Sequence, residues 1–68
     1  KAMKNRIRVL RAEFDMTQSQ LAEHIGVSRQ SIVAIENSKY VPSTILALKM
    51  AKLFNTDVSN IFSLEDTD

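Results

Sequence analysis

The chain has 68 residues, 44% of them hydrophobic and 25% charged, with a net charge of +1 and no cysteine. This length suits one globular domain, over residues 1–68, with a small core; a chain of that size buries only about 60% of its unfolded surface. Neither disulfides nor thiolate metal sites are available, and no apolar run approaches the ~20 residues that cross a bilayer or the pattern of a signal peptide. A cytoplasmic protein without a membrane partner is expected. Charge is unevenly spread. Residues 1–40 hold seven Lys or Arg against four Asp or Glu, whereas residues 41–68 hold two against four. That asymmetry fits a cationic face turned to a polyanion, or ordinary surface scatter.

Every segment reads helical. Met3, Ile7, Leu10 and Phe14 follow the spacing of one helix face and predict a first helix from about Lys4 to Phe14. The second opens in "MTQSQL", where Thr17 is the N-cap, Gln20 completes a capping box, and Met16 and Leu21 form a hydrophobic staple. The third opens alike in "VSRQSI", with Ser28 as cap and Val27 and Ile32 as staple. The fourth follows "YVPS", where Pro42 holds the chain extended and Ser43 caps. It runs to about Phe54, with Asn55 as a left-handed stop. Leu46, Ala47, Leu48, Met50, Ala51, Leu53 and Phe54 make it apolar nearly all round, with Lys49, Lys52 and Ile45 as its wet stripe. A short fifth helix around Asp57 to Ser63 brings in Val58, Ile61 and Phe62.

The chain's one glycine, Gly26, falls between the second and third helices. A residue there must take positive φ, and a short Gly-containing turn lets two helices cross in the helix-turn-helix arrangement. Leu21, Ile25, Val27, Ile32 and Ile35 supply the seam, and Ala22 is small enough for the crossing. A rotation of about 100° per residue then puts Ile32, Ile35 and Ser31 on one side of the third helix. Arg29, Gln30, Val33, Ala34 and Asn37 face the other way. Arg can fork onto guanine, Gln onto adenine, and a methyl can meet the thymine methyl, so this mixture suits a major groove.

"MTQSQLAEHIGVSRQSIVAIENSKYVPS" resembles the Cro/CI-type, Xre-like (lambda-repressor-like) helix-turn-helix of transcriptional regulators, and the resemblance extends from "NRIRVLRAE" to "VSNIF". It implies an all-α, compact five-helix bundle that binds double-stranded operator DNA as a homodimer, with the helix at residues 28–37 in the major groove. Repression needs the least machinery. By that resemblance Arg29, Gln30, Val33 and Ala34 read bases, and Thr17, Gln18, Ser31, Asn37 and Lys39 meet phosphates. Arg11 and Glu36 match a paired position, and an Arg fork on a carboxylate is the geometry expected of them. Ser38 stands where the family commonly has Gly, so the bend after the third helix must be found another way, with Asn37 the candidate.

The same residues bear other readings. Catalysis finds no support: His24 is the lone histidine, no nucleophile elbow or phosphate-cradling loop is present, and Glu13–Asp15 and Glu65–Asp66 suit solvated surface. No cofactor, catalytic residue, metal ligand set or small-molecule effector is implied. A DNA-binding antitoxin, working chiefly through a protein partner, is the alternative. Ile45, Ile61 and Leu64 are candidate dimer contacts, with core packing the competing reading for Ile61 and Phe62.

Overall fold

A computed structural model describes residues 3–65. In chain order it runs β1 (Lys4–Asn5), α1 (Ile7–Glu13), α2 (Gln18–Ile25), α3 (Arg29–Glu36), α4 (Thr44–Leu53), a 3-10 turn (Val58–Asn60) and β2 (Phe62–Ser63). The acidic residues Asp66 and Asp68 lie outside the described residues. Two expectations are corrected. The first helix starts at Ile7 rather than Lys4, because Lys4 and Asn5 pair with Ser63 and Phe62 as an antiparallel two-stranded sheet. The fifth helix is reduced to the 3-10 turn because β2 claims the residues that follow it. Four α-helices, not five, carry the fold among the described residues.

Capping chemistry explains where α2, α3 and α4 begin. Thr17 accepts from the Gln20 amide at 3.0 Å while Gln20 Oε1 accepts from the Thr17 amide at 2.8 Å, a complete capping box. Ser28 and Ser43 each accept from the amide three residues on. The helix ends share a second device. Asp15, Gly26, Ser38 and Asn55 all take positive φ. In each case the amide of the next residue returns to a carbonyl five residues back: Met16 to Arg11, Val27 to Ala22, Lys39 to Ala34 and Thr56 to Ala51. This closure satisfies carbonyls that the helix end would strand. After α3 the bend is therefore made by Ser38 itself (φ 58), while Asn37 keeps φ −86, which corrects the role expected of Asn37.

Ile7, Leu21, Ile32, Ile35, Met50 and Ile61 are the largest fully buried side chains. They place the core where α1, the α2–α3 corner, α4 and the C-terminal segment meet. Phe14 stacks edge-on to Phe54 with ring centroids 5.3 Å apart, joining the ends of α1 and α4. Leu48, read as part of an apolar helix, is exposed beside Ile45, so the wet stripe of α4 is wider than its sequence suggests. Ile61 is 1% exposed and belongs to this core, which removes it from the candidate dimer contacts. Phe62 is buried with it.

The sheet fastens the chain ends to α3. The Arg6 amide donates to Ile61 O at 2.8 Å, continuing the β1–β2 ladder. Asn5 Nδ2 donates to Ile35 O at 2.9 Å and Ser38 Oγ to Met3 O at 3.2 Å, so β1 lies against the end of α3.

Candidate nucleic-acid interface

Gly26 takes φ 77 and no atom lies within 4 Å of where a Cβ would stand. Glycine is therefore needed here for backbone conformation, not for space. Val27 then leads into the Ser28 cap, and α3 leaves the corner with Ile32 and Ile35 buried. The opposite face carries Arg29 and Gln30, both exposed, with Val33 and Ala34 half-buried one turn on. Two long polar side chains thus stand at the N-terminal end of a helix whose next turn offers only short apolar ones. A groove-sized ligand can approach such a surface closely.

What fixes α3 is at its other end. Arg11 Nε and Nη2 donate to Glu36 Oε2 and Oε1 at 2.6 and 3.2 Å, a two-pronged ion pair, and Arg11 Nη1 donates to Met16 O at 3.0 Å. The Glu36 side chain is 1% exposed and that of Arg11 15%. One guanidinium thus ties α1, the connection before α2, and the last turn of α3. Charges so far out of water are tolerated because each guanidinium nitrogen donates and both carboxylate oxygens accept. Arg8, mostly in solvent, adds a looser approach of 3.7 Å to Glu36 Oε1.

The network continues to the surface. Gln18 Nε2 donates to Glu36 Oε1 at 3.2 Å, and Gln18 Oε1 accepts from Arg29 Nη2 at 3.2 Å. A line of contacts therefore joins the buried Arg11–Glu36 pair to the first side chain of α3's outer face. Sequence reading placed Gln18 only toward phosphate and missed both of these bonds. The signal that could have found them is the spare lone pair on Glu36 Oε1, since buried acceptors recruit further donors.

The remaining predicted contacts divide into two sets. Thr17 is exposed at the start of α2, its oxygen accepting within the capping box. Ser31 shares a 3.1 Å hydrogen bond with Ser28 between hydroxyls. Asn37 and Lys39 are exposed beyond the end of α3. Thr17, Gln18, Arg29, Gln30 and Ser31 thus gather around the helix-turn-helix corner, whereas Asn37 and Lys39 stand at the far end of α3. His24 points elsewhere: it lines a shallow cavity of ≈ 350 Å³ with Ile25, Lys49, Lys52 and Leu53. Among the described residues no group of three or more His, Cys, Asp or Glu is disposed to hold a metal ion, and no helix is long and apolar enough to cross a membrane.

Comparison with known proteins gives a consistent result. The helix-turn-helix family profile matches residues 7–61. The uncharacterised HTH-type transcriptional regulator YgzD of Bacillus subtilis is 47% identical over 64 residues, covering 94% of this chain and 97% of that protein. The transcriptional repressor RstR of the cryptic phage CTXphi in Vibrio cholerae is 30% identical, over 94% of this chain and 58% of its own length. Among solved structures, a candidate DNA-binding protein from Bacteroides fragilis superposes with a TM-score of 0.79 at 36% identity, covering 90% of this chain and 98% of that one.

Proposed function

Because the chain belongs to the Cro/CI-type, Xre-like family of helix-turn-helix transcriptional regulators, we propose that it binds a specific double-stranded operator as a homodimer, one α3 per half-site in the major groove, and represses by occupying a promoter. Residues 1–68 work as one DNA-binding domain in this reading, with no cofactor or small-molecule effector. The observation that carries it is the two-sidedness of α3. Ile32 and Ile35 are buried, while Arg29 and Gln30 stand exposed at the helix start over the short side chains of Val33 and Ala34. Arg29 forks onto a guanine edge, Gln30 onto an adenine edge, and the methyls of Val33 and Ala34 meet thymine methyls. Thr17, Gln18, Ser31, Asn37 and Lys39 hold the flanking phosphates and set the register. Repression is favoured by the likeness to a phage repressor over nearly the whole of this chain.

Selection of bound duplexes from a random pool tests the proposal. An inverted repeat should be enriched, its half-sites about one helical turn or a multiple of it apart. Affinity for the enriched site should fall with salt at a log–log slope near −0.9 per phosphate neutralised. Failure to enrich any sequence, with binding to random duplex unchanged, would remove the sequence-specific reading.

A further inference from the structure

The outside of α4 carries a surface for which the operator has no use. Leu46 and Met50 turn one side of this helix to the core. At about 100° per residue, Ile45, Leu48, Lys49 and Lys52 fall on the opposite side, and all four are exposed. Ile45 is 69% exposed and Leu48 56%, and they make an apolar step that leads into the two lysines. A solitary exposed apolar residue is ordinary, whereas two at helical spacing that run into a cavity call for a partner.

That cavity, of ≈ 350 Å³, has an apolar floor and a cationic rim. Ile25 and Leu53 supply the floor, His24, Lys49 and Lys52 the rim, and no acidic residue lines it. Among the described residues neither lysine enters an ion pair or a hydrogen bond. A cation in the last turn steadies the C-terminal end of a helix, which accounts for Lys52. Lys49 stands a turn earlier and has no such role.

We propose that this face docks an acidic, apolar-bearing helical segment of a partner protein. One large apolar side chain of that segment sits over Ile25 and Leu53, others rest on Leu48 and Ile45, and its carboxylates meet Lys49 and Lys52. Shape and charge choose this occupant. The cavity is too shallow to enclose a small molecule but has room for a side chain. From Leu53 the strip runs back to Ile45 over roughly 12 Å, about two helical turns, as a docked helix requires. A second copy of this chain fits poorly, because a two-fold pairing of this face sets each lysine pair against its counterpart. Helices α3 and α4 turn their buried sides to one core, so their outer faces look in different directions. A chain bound to DNA through α3 can therefore hold the segment as well as a free one. Small and charged at its rim, the contact is weak and salt-sensitive.

Fluorescence anisotropy with the full chain tests the docking. The probe is a short labelled helical peptide with leucine at every third or fourth position and glutamate between. Wild type should bind it. The double variant Lys49→Glu, Lys52→Glu should bind it about tenfold or more weakly, because the charge it meets is reversed. That variant should in turn prefer the peptide in which lysine replaces glutamate, a swap that loss of the fold could not produce. Leu48→Ser should weaken the glutamate peptide several-fold, whereas Val9→Ser, at an exposed site on α1, should leave it unchanged. A random DNA duplex added to the complex should leave the peptide in place. Failure of wild type to bind the glutamate peptide, or no swap of preference in the double variant, would overturn the proposal. So would displacement of the peptide by the duplex, by phosphatidylglycerol vesicles or by decanoate, which would give the surface to nucleic acid, to a membrane or to a small apolar acid.

Discussion

The two ends of α3 are held by opposite means. At its C-terminal end Glu36 is sealed from water, gripped by Arg11 and joined by Gln18, and the backbone of its last turn is fastened to Asn5. At its N-terminal end Arg29 is exposed and rests on one 3.2 Å contact with Gln18. The buried end fixes where the helix lies, and the exposed end presents Arg29 and Gln30 to solvent, where the proposed function needs side chains that can turn to base edges. Rigidity and readiness are thus separated along eight residues. A surface hydrogen bond is cheap to give up, whereas a buried ion pair is not.

That contrast can be broken at its strong end first. Glu36→Ala leaves the Arg11 guanidinium nearly buried without its partner and should cost about 3–5 kcal/mol, read as a lowered denaturant midpoint. Replacing both Arg11 and Glu36 with leucine should cost distinctly less than Glu36→Ala alone, because no lone charge remains. Equal losses in single and double variants would remove the pair from its anchoring role. At the exposed end, Arg29→Ala and Gln30→Ala should each lose about 1–3 kcal/mol of binding to the selected site, with little change on random duplex and none in unfolding. Between the two ends sits the corner. Gly26→Ala meets no neighbour and should cost about 1 kcal/mol through its positive φ alone, with Gly26→Asn milder. The smallest effect belongs to Gln18→Ala. Exposed on one side and holding only Arg29 there, it should lower stability by about 1 kcal/mol or less while lowering site affinity more than stability.

How much of this was legible follows the same division between local and non-local chemistry. Thr17 with Gln20, Ser28, Ser43, Gly26 and Asn55 carry their structural meaning within three or four residues, and each start or stop they imply is present in the structure. The burial of Ile32 and Ile35 against the exposure of Arg29 and Gln30 likewise follows from periodicity alone. The β1–β2 pair was not legible. Its strands are two residues long and lie at opposite ends of the chain, so no alternation announces them. Their pairing depends on Asn5 and Ser38 finding the end of α3. Left-handed Asp15 and Ser38 escaped because a residue with a Cβ does not advertise positive φ. Arg11 and Glu36 were matched through family resemblance, and the step from Glu36 through Gln18 to Arg29 emerges only once α2 and α3 have crossed.

The most direct measurement of which surface meets DNA is amide and side-chain chemical-shift mapping on adding the selected duplex to isotope-labelled protein. The largest changes should fall on Arg29, Gln30, Val33 and Ala34, with smaller ones at Thr17, Gln18 and Lys39, while Leu48, Lys49 and Lys52 on the outside of α4 stay still. Shifts concentrated on α4, with the start of α3 unmoved, would contradict the account.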